Sequence, residues 1–434
     1  MNRPTIWKTK IMITIQPVEK KIRATVSVPG SKSLTQRALI AAALANGRSR
    51  LLGPLESEDT EYSSGALTQM GIAIEKGEDW LVEGQGGVIR SDGKPVFLGN
   101  NGTATRFLTS VVSLGRGSFI IDGDERMHVR PIDPLISGLR GWGVDISSIK
   151  GTGCPPLKVE AGGLEGGITI LPEGQSSQYL SSLLLVAPYA KKEAELRVEG
   201  EVLSKPYVAM TLAVMADFGI EVEASPDFSR FIVSRGCYRP REYEIEGDGS
   251  SASYFWAAAA VTGGSVTVEN VPVPSLQGDV MLVPLLGRMG CNVVRSGKTI
   301  TLHGCERLEG ITVDMGDMPD VVPTLAVVAA FAHGRTEINN IAHLRIKECD
   351  RLSAVVTELG KLGVKIEEFA DRMVIHGDGG NNLRGAEIET YKDHRMAMSM
   401  AVAGLRVPGI KISGEKCVAK SFPDFWERFA LLTC

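Results

Sequence analysis

Two patterns of apolar and polar positions recur along the chain. The first is an apolar helical stretch that closes on glycine and runs into a short alternating strand: LTQMGIAI, LRGWGVDI, MADFGIEV, LGRMGCNV and LGKLGVKI. Their glycines, Gly71, Gly143, Gly219, Gly290 and Gly363, lie 72, 76, 71 and 73 residues apart. Glycine enters the left-handed conformation without steric cost, which suits it to the position after a helix end. The second pattern is a small polar start, an Ala-rich apolar helix and a Gly-containing turn into a β-branched strand. Its copies begin near Ser31, Gly102, Ser176, Ser250, Asp320 and Asp393, at separations of 71, 74, 74, 70 and 73. Two independent features sharing one period predict six units, each β-α-β-α-β-β.

The sixth unit lacks its closing strand and ends in the helix-like SFPDFWERFALL, whereas Met12 to Pro29 supplies strands with no helix before them. The N-terminal strands are therefore expected to complete the last unit. The prediction is an α/β protein of two lobes, each built of three βαβαββ units. One lobe is continuous over residues 31–246; the other is discontinuous, over 1–30 and 247–434. The chain would cross between them at Pro29-Gly30 and at Gly247-Asp248-Gly249. Two consecutive domains divided near residue 240 are the alternative.

Composition narrows the function. The 434 residues hold 47 Lys plus Arg against 51 Asp plus Glu, a net charge of −4, which argues against nucleic-acid binding by bulk charge. The apolar fraction of 43% and charged fraction of 23% are those of a globular protein. Seven scattered cysteines form no CxxC pair, and the six histidines show no HxxH or HExxH spacing, so reduced thiols and no metal site are expected. The N-terminal segment lacks the apolar core of a signal peptide, and the longest apolar stretch, Val321 to Ala332, is interrupted by Pro323 and Thr324. It falls short of the roughly 20 residues that cross a bilayer, so a soluble, cytoplasmic protein with no membrane partner is expected.

The Ala-rich helices begin where anions bind best, because a helix start offers unpaired N–H groups and the positive end of the dipole. These starts carry Ser31, Lys32, Ser33 and Arg37; Gly102, Thr103 and Arg106; Ser176, Ser177 and Gln178; and Asp393, His394 and Arg395. Ser and Thr are ordinary caps, but cations placed against their own helix dipole call for a bound anion or an acid partner. Arg130, Lys347, Arg351 and Lys420 lie near turns, and together these cations predict a cleft for a polyanionic small molecule. Asp320 and Glu348 interrupt the basic set; each reads either as a helix cap or salt-bridge partner, or as a general acid or base. His394 reads equally as a core imidazole or as a donor to a substrate carboxylate. No GxxxxGK[ST], GxGxxG after a strand, or GxSxG is present.

Taken in order, PGSKSLTQRA (29–38), GNNGTATRF (99–107), RPI (130–132), SSQ (176–178), SKPY (204–207), EGDGSSASYF (246–255), PD (319–320), RIKECDRL (345–352), YKDHRMAM (391–398) and KCVAKSFPDF (416–425) closely resemble the 5-enolpyruvylshikimate-3-phosphate synthase family. The resemblance runs from about Ile13 to Phe429. It implies two lobes with helix N-termini facing the cleft between them, and because neither lobe alone supplies all the cations, the lobes are expected to close on ligand. It also implies transfer of the enolpyruvyl group of phosphoenolpyruvate to the 5-hydroxyl of shikimate 3-phosphate, in aromatic amino-acid synthesis, by a monomer without metal or organic cofactor. Carried over residue by residue, shikimate 3-phosphate would meet Lys32, Ser33, Arg37, Ser176, Ser177, Gln178, Ser204, Tyr207, Asp320 and Lys347. Phosphoenolpyruvate would meet Lys32, Gly102, Arg130, Gln178, Arg351, Arg395 and Lys420. Lys32, Asp320, Glu348, His394 and Lys420 would form the catalytic set.

Three positions depart from the family pattern: His343 in place of Asn, Asn101 in place of a small residue, and Phe107 in place of Pro. UDP-N-acetylglucosamine enolpyruvyl transferase is the nearest rival, sharing fold and donor. That family has Asn after the first-helix Lys and a loop Cys, whereas here Ser33 follows Lys32 and residues 110–130 contain no Cys. A non-catalytic anion-binding module is the alternative from another class.

Overall fold

The computed structural model describes residues 12–172 and 176–433; the expectations for residues 1–11 lie outside the described residues. The described strands form five four-stranded sheets and one three-stranded sheet, one per repeat. The second unit shows the plan. Its strands Val96–Phe97 and Gly117–Asp122 run parallel, and Leu157–Ala161 and Asp145–Ser148 follow antiparallel. The five closing glycines all have positive φ, from 84° at Gly143 to 113° at Gly290, so each ends its helix in the conformation the repeat requires.

Six inner helices carry the Ala-rich segments: Lys32–Leu44, Gly102–Val112, Ser177–Val186, Gly249–Thr262, Val322–Ala330 and His394–Gly404. Several are apolar around the whole circumference, as in Val322–Ala330, where every residue is buried. Small hydroxyl residues let the helices approach closely. Ser110 meets Ser182 at 2.6 Å, and Thr324 meets both Ser253 (3.1 Å) and Ser399 (3.3 Å). Buried apolar side chains fall into two clusters. One draws on Leu34 through Ile245, the other on Ile15 through Val28 together with Ala252 through Leu432.

The N-terminal strands divide between two sheets. Met12–Thr14 pairs antiparallel with Lys411–Ser413 of the last unit. Arg23–Ser27 does not join it, which corrects the expectation for both strands: it runs parallel to Ser265–Glu269 in the fourth unit. The reason is an exchange. The strand preceding the fourth unit's helix, Glu242–Glu244, pairs instead with Asn46–Leu52 of the first unit, leaving a vacant edge that Arg23–Ser27 fills.

Both crossings lie side by side. Gly30 bridges Gly247, with Ser31 N–H donating to the Glu246 carbonyl (2.7 Å) and Asp248 N–H to that of Pro29 (2.8 Å). A Cβ on Gly30 would sit 2.1 Å from the Gly53 carbonyl oxygen, so only glycine passes there. Asp248 caps two helices at once: its Oδ1 accepts from Ser251 N–H (2.7 Å) in its own helix and its Oδ2 from Lys32 N–H (3.0 Å) in the other.

Candidate active site

Five of the six inner helix starts converge on one enclosed cleft, whose lining includes Lys32, Ser33, Gly102, Thr103, Ser176, Ser177, Gln178, Asp320 and Arg395. Four of the five starts are positioned by a side-chain cap, and the Val322–Ala330 helix has none. Ser31 accepts from Leu34 N–H, Asn101 from Ala104 N–H, Ser176 from Gln178 N–H and Asp393 from Arg395 N–H. The cleft also takes in Arg37, Arg130, Ser204, Tyr207, Lys347, Glu348 and Arg351. Among the described residues its lining holds six cations against three carboxylates, so positive charge is concentrated here in a chain whose net charge is negative.

One ionic lattice dominates the side formed by residues 319–395. The Arg351 guanidinium, 1% exposed, donates to Asp393 (2.8 Å), Glu348 (2.8 Å) and Asp320 (3.1 Å), and Arg395 grips the other Asp320 oxygen at 2.6 Å. Burial would raise the Asp320 carboxyl, but Arg395, Lys347, Arg351 and Lys32 overcome it and hold the group well below its usual range. Glu348 is likewise held ionised against burial by Arg351, Arg130 and Lys420. Burial lowers Lys347, helped by Arg351 and Arg130 and opposed by Asp320 and Glu348. Asp320 is not a helix cap: it sits in the short turn Pro319–Val321 ahead of the helix.

The facing side is built differently. Arg37 donates to Thr211 Oγ1 (2.7 Å) and to the carbonyls of Ser33 (3.0 Å) and Tyr207 (3.1 Å). Arg130 reaches Asn100 Oδ1 at 3.0 Å, and Gln178 donates to Thr103 Oγ1 at 3.0 Å. A Cβ on Gly102 would meet the Arg130 Nη2 at 2.5 Å, so glycine here makes room for the guanidinium.

Contacts between the two sides draw them together. Arg126 donates to the Lys347 carbonyl (2.8 and 3.2 Å), Ser204 to that of Gly316 (3.1 Å), and Lys420 to that of Asn100 (2.8 Å). Tyr207 donates to Asp279, whose buried carboxyl is pushed up to about 6 by burial and by Asp320.

Several expectations change. Arg106, expected at the anion site, turns away from the cleft and donates to the carbonyls of Gly102 (3.1 Å) and Pro131 (3.1 Å), which offset its helix dipole without any anion. His394 is fully buried beneath the lattice and does not line the cleft; burial, with Lys32 and Arg395, holds its imidazole neutral. Lys420 sits at the edge and reaches in through Asp59 (2.8 Å). Asp59, Arg126 and Asp279 escaped the sequence reading, because none stands at an inner helix start. Of the departures, Asn101 is a working cap that also donates to the Asp59 carbonyl (2.6 Å), and Phe107 lies under Arg37 with 5.3 Å from guanidinium carbon to ring centre. His343 is buried, its imidazole lowered to about 3 by burial and Lys347.

The family model for EPSP synthase (3-phosphoshikimate 1-carboxyvinyltransferase) matches residues 17–429. The chain belongs to the EPSP synthase family. A 3-phosphoshikimate 1-carboxyvinyltransferase of Trichormus variabilis is 44% identical over 420 residues, covering 96% of this chain and 98% of the relative. One from Vibrio atlanticus is 39% identical over 427 residues, covering 97% and 99%. A solved structure of EPSP synthase from Acinetobacter baumannii superposes with a TM-score of 0.81 at 29% identity, covering 96% of this chain and 97% of that one. The two-lobed α/β fold is thus the family's own. Among the described residues, no helix is long and apolar enough to cross a membrane.

Proposed function

We propose that this chain transfers the enolpyruvyl group of phosphoenolpyruvate to the 5-hydroxyl of shikimate 3-phosphate, releasing phosphate. The observation that carries this reading is the cleft itself: helix starts and six cations enclosing two arginine-held carboxylates, in a member of the EPSP synthase family. Each substrate bears a phosphate and a carboxylate, and the excess of cations suits that paired charge. Shikimate 3-phosphate is assigned to Lys32, Ser33, Arg37, Ser176, Ser177, Gln178, Ser204, Tyr207, Asp320 and Lys347. Phosphoenolpyruvate is assigned to Lys32, Gly102, Arg130, Gln178, Arg351, Arg395 and Lys420.

Asp320, held ionised, takes the 5-hydroxyl proton as the oxygen attacks C2 of phosphoenolpyruvate. The methylene carbon must gain a proton in the same addition, and Glu348 is the donor. In the empty cleft Arg351, Arg130 and Lys420 keep it a carboxylate. Phosphoenolpyruvate anions paired with those same cations remove the charge that depresses Glu348, so it binds a proton when the donor arrives. The product is a tetrahedral ketal. Loss of a methyl proton back to Glu348 and departure of phosphate, which carries off the proton held by Asp320, then restore the double bond. His394, neutral and buried, is given no proton to exchange.

The lobes assigned to this enzyme are 1–30 with 247–434, and 31–246; the two separate apolar clusters support the division. A cytoplasmic monomer belongs to the same reading, and the six described cysteines are free thiols, as suits a reducing compartment. The test is phosphate release from phosphoenolpyruvate with each acceptor in turn. Turnover with shikimate 3-phosphate is expected. Turnover only with UDP-N-acetylglucosamine would reassign the acceptor, and tight binding of both substrates without product would make the chain a binding module.

A further inference from the structure

Asp59 is the second residue of the Glu58–Gln69 helix. Acids in a first helical turn are common because the dipole favours them. Two observations set this one apart. It is 3% exposed, and its two carboxylate oxygens are committed to two different ammonium groups: Oδ2 to Lys32 at 3.1 Å and Oδ1 to Lys420 at 2.8 Å. Lys32 opens an inner helix on the same side of the cleft, whereas Lys420 lies 361 residues from Asp59 on the opposite side. The Asp59 backbone is fixed too, its carbonyl accepting from Asn101 at 2.6 Å, so the starts of two neighbouring helices hold this carboxylate in place.

We propose that Asp59 is a positioning residue that clamps Lys32 and Lys420 into one pair across the closed cleft. This rests on the enolpyruvyl-transfer reading above, in which both lysines meet phosphoenolpyruvate. The clamp has three effects. It sets the spacing of two ammonium groups that receive one small anion, and it closes the cleft edge when Lys420 arrives. It also keeps Lys420 charged. Burial works against that ammonium and Arg130 repels it, while Asp59 and Glu348 favour it, and the net direction is upward. The half-buried Tyr62 phenol, on the Asp59 helix, and the neutral His394 also face it. Asp59 is the only one of these carboxylates bonded directly to the Lys420 ammonium.

The test compares full-length wild type with Asp59→Asn and Asp59→Glu in the phosphate-release assay, as pH profiles of kcat/KM for phosphoenolpyruvate. Asp59→Asn keeps the shape but removes the charge. Its kcat/KM is expected to fall about 10- to 100-fold, the scale of one lost charge-assisted hydrogen bond, and its alkaline limb to move down by about one pH unit or more. Asp59→Glu restores the charge one methylene further out, so its alkaline limb returns toward wild type while its kcat stays reduced. An alkaline limb that does not move in Asp59→Asn overturns the clamp, and so does one that falls equally in Asp59→Glu. Should Asp59→Asn fail to fold, as a thermal melt would reveal, the Asp59→Glu limb alone decides. Wild type without turnover on shikimate 3-phosphate overturns the enolpyruvyl-transfer reading, and the clamp falls with it; wild-type turnover with unchanged variants overturns the clamp alone.

Discussion

Arginines are buried on both sides of the cleft, but in opposite company. Arg37 and Arg106, among residues 31–246, bond to hydroxyls and carbonyls, and burial lowers each to about 10. Arg351 and Arg395 are buried as deeply, yet Asp393, Glu348 and Asp320 outweigh desolvation and push them upward. Arg37, which lines the cleft, is therefore a rigid donor with little countercharge, suited to holding an anion, whereas Arg106 faces away. The second side is a lattice of interlocked charges containing two carboxylates, whose protons an arriving anion would redistribute on the proposed function. On the proposed function, anion binding draws on both sides, whereas the proton-transfer groups Asp320 and Glu348 stand on the second side alone.

The sharpest test of that division is Asp320→Asn. Removing the base on the lattice side should lower kcat by about 10²- to 10⁴-fold, the usual contribution of one acid–base group. Steady-state phosphate release reads it, and a kcat within tenfold of wild type would mean that protons are handled elsewhere. Stability offers the next test, by urea midpoint. Arg351→Met strands the buried Asp393 and the largely covered Glu348, and should cost about 3–5 kcal/mol. Arg37→Met removes bonds to neutral oxygens only, and should cost about 1–3 kcal/mol. Equal costs would erase the contrast. The smallest effect is expected for Gly102→Ala, whose new methyl would press on an Arg130 paired, among the described residues, with neutral Asn100. Here KM for phosphoenolpyruvate should rise about tenfold with kcat nearly kept, the signature of lost ground-state binding. A fall in kcat instead would give Arg130 a share in the chemistry.

Much of this architecture was legible because glycine and small polar residues mark fixed points in each unit. The five closing glycines needed positive φ, and that need is visible in sequence at a constant spacing. The inner helix starts were legible for the same reason. Pairings between distant segments were not. Nothing local tells Arg23–Ser27 to leave the last unit for the fourth, since an alternating strand fits either edge. Asp59 reads as any first-turn acid until Lys420 is brought beside it. Arg106 misled because a cation opposing its helix dipole was expected to need an anion, and carbonyls from the following loop suffice. His394 shared a motif with its neighbours, but the register of its helix turns it inward.

The exchanged strands also set an order for synthesis. Arg23–Ser27 leaves the ribosome early but finds its partner only when Ser265–Glu269 follows, and Met12–Thr14 waits for Lys411–Ser413. Between those moments everything from Lys32 to Glu244 emerges, including the strand that closes its own first sheet. The inserted segment therefore completes its pairing while the opening strands are still without neighbours, and the nascent chain must keep those edges from pairing wrongly until its last units appear.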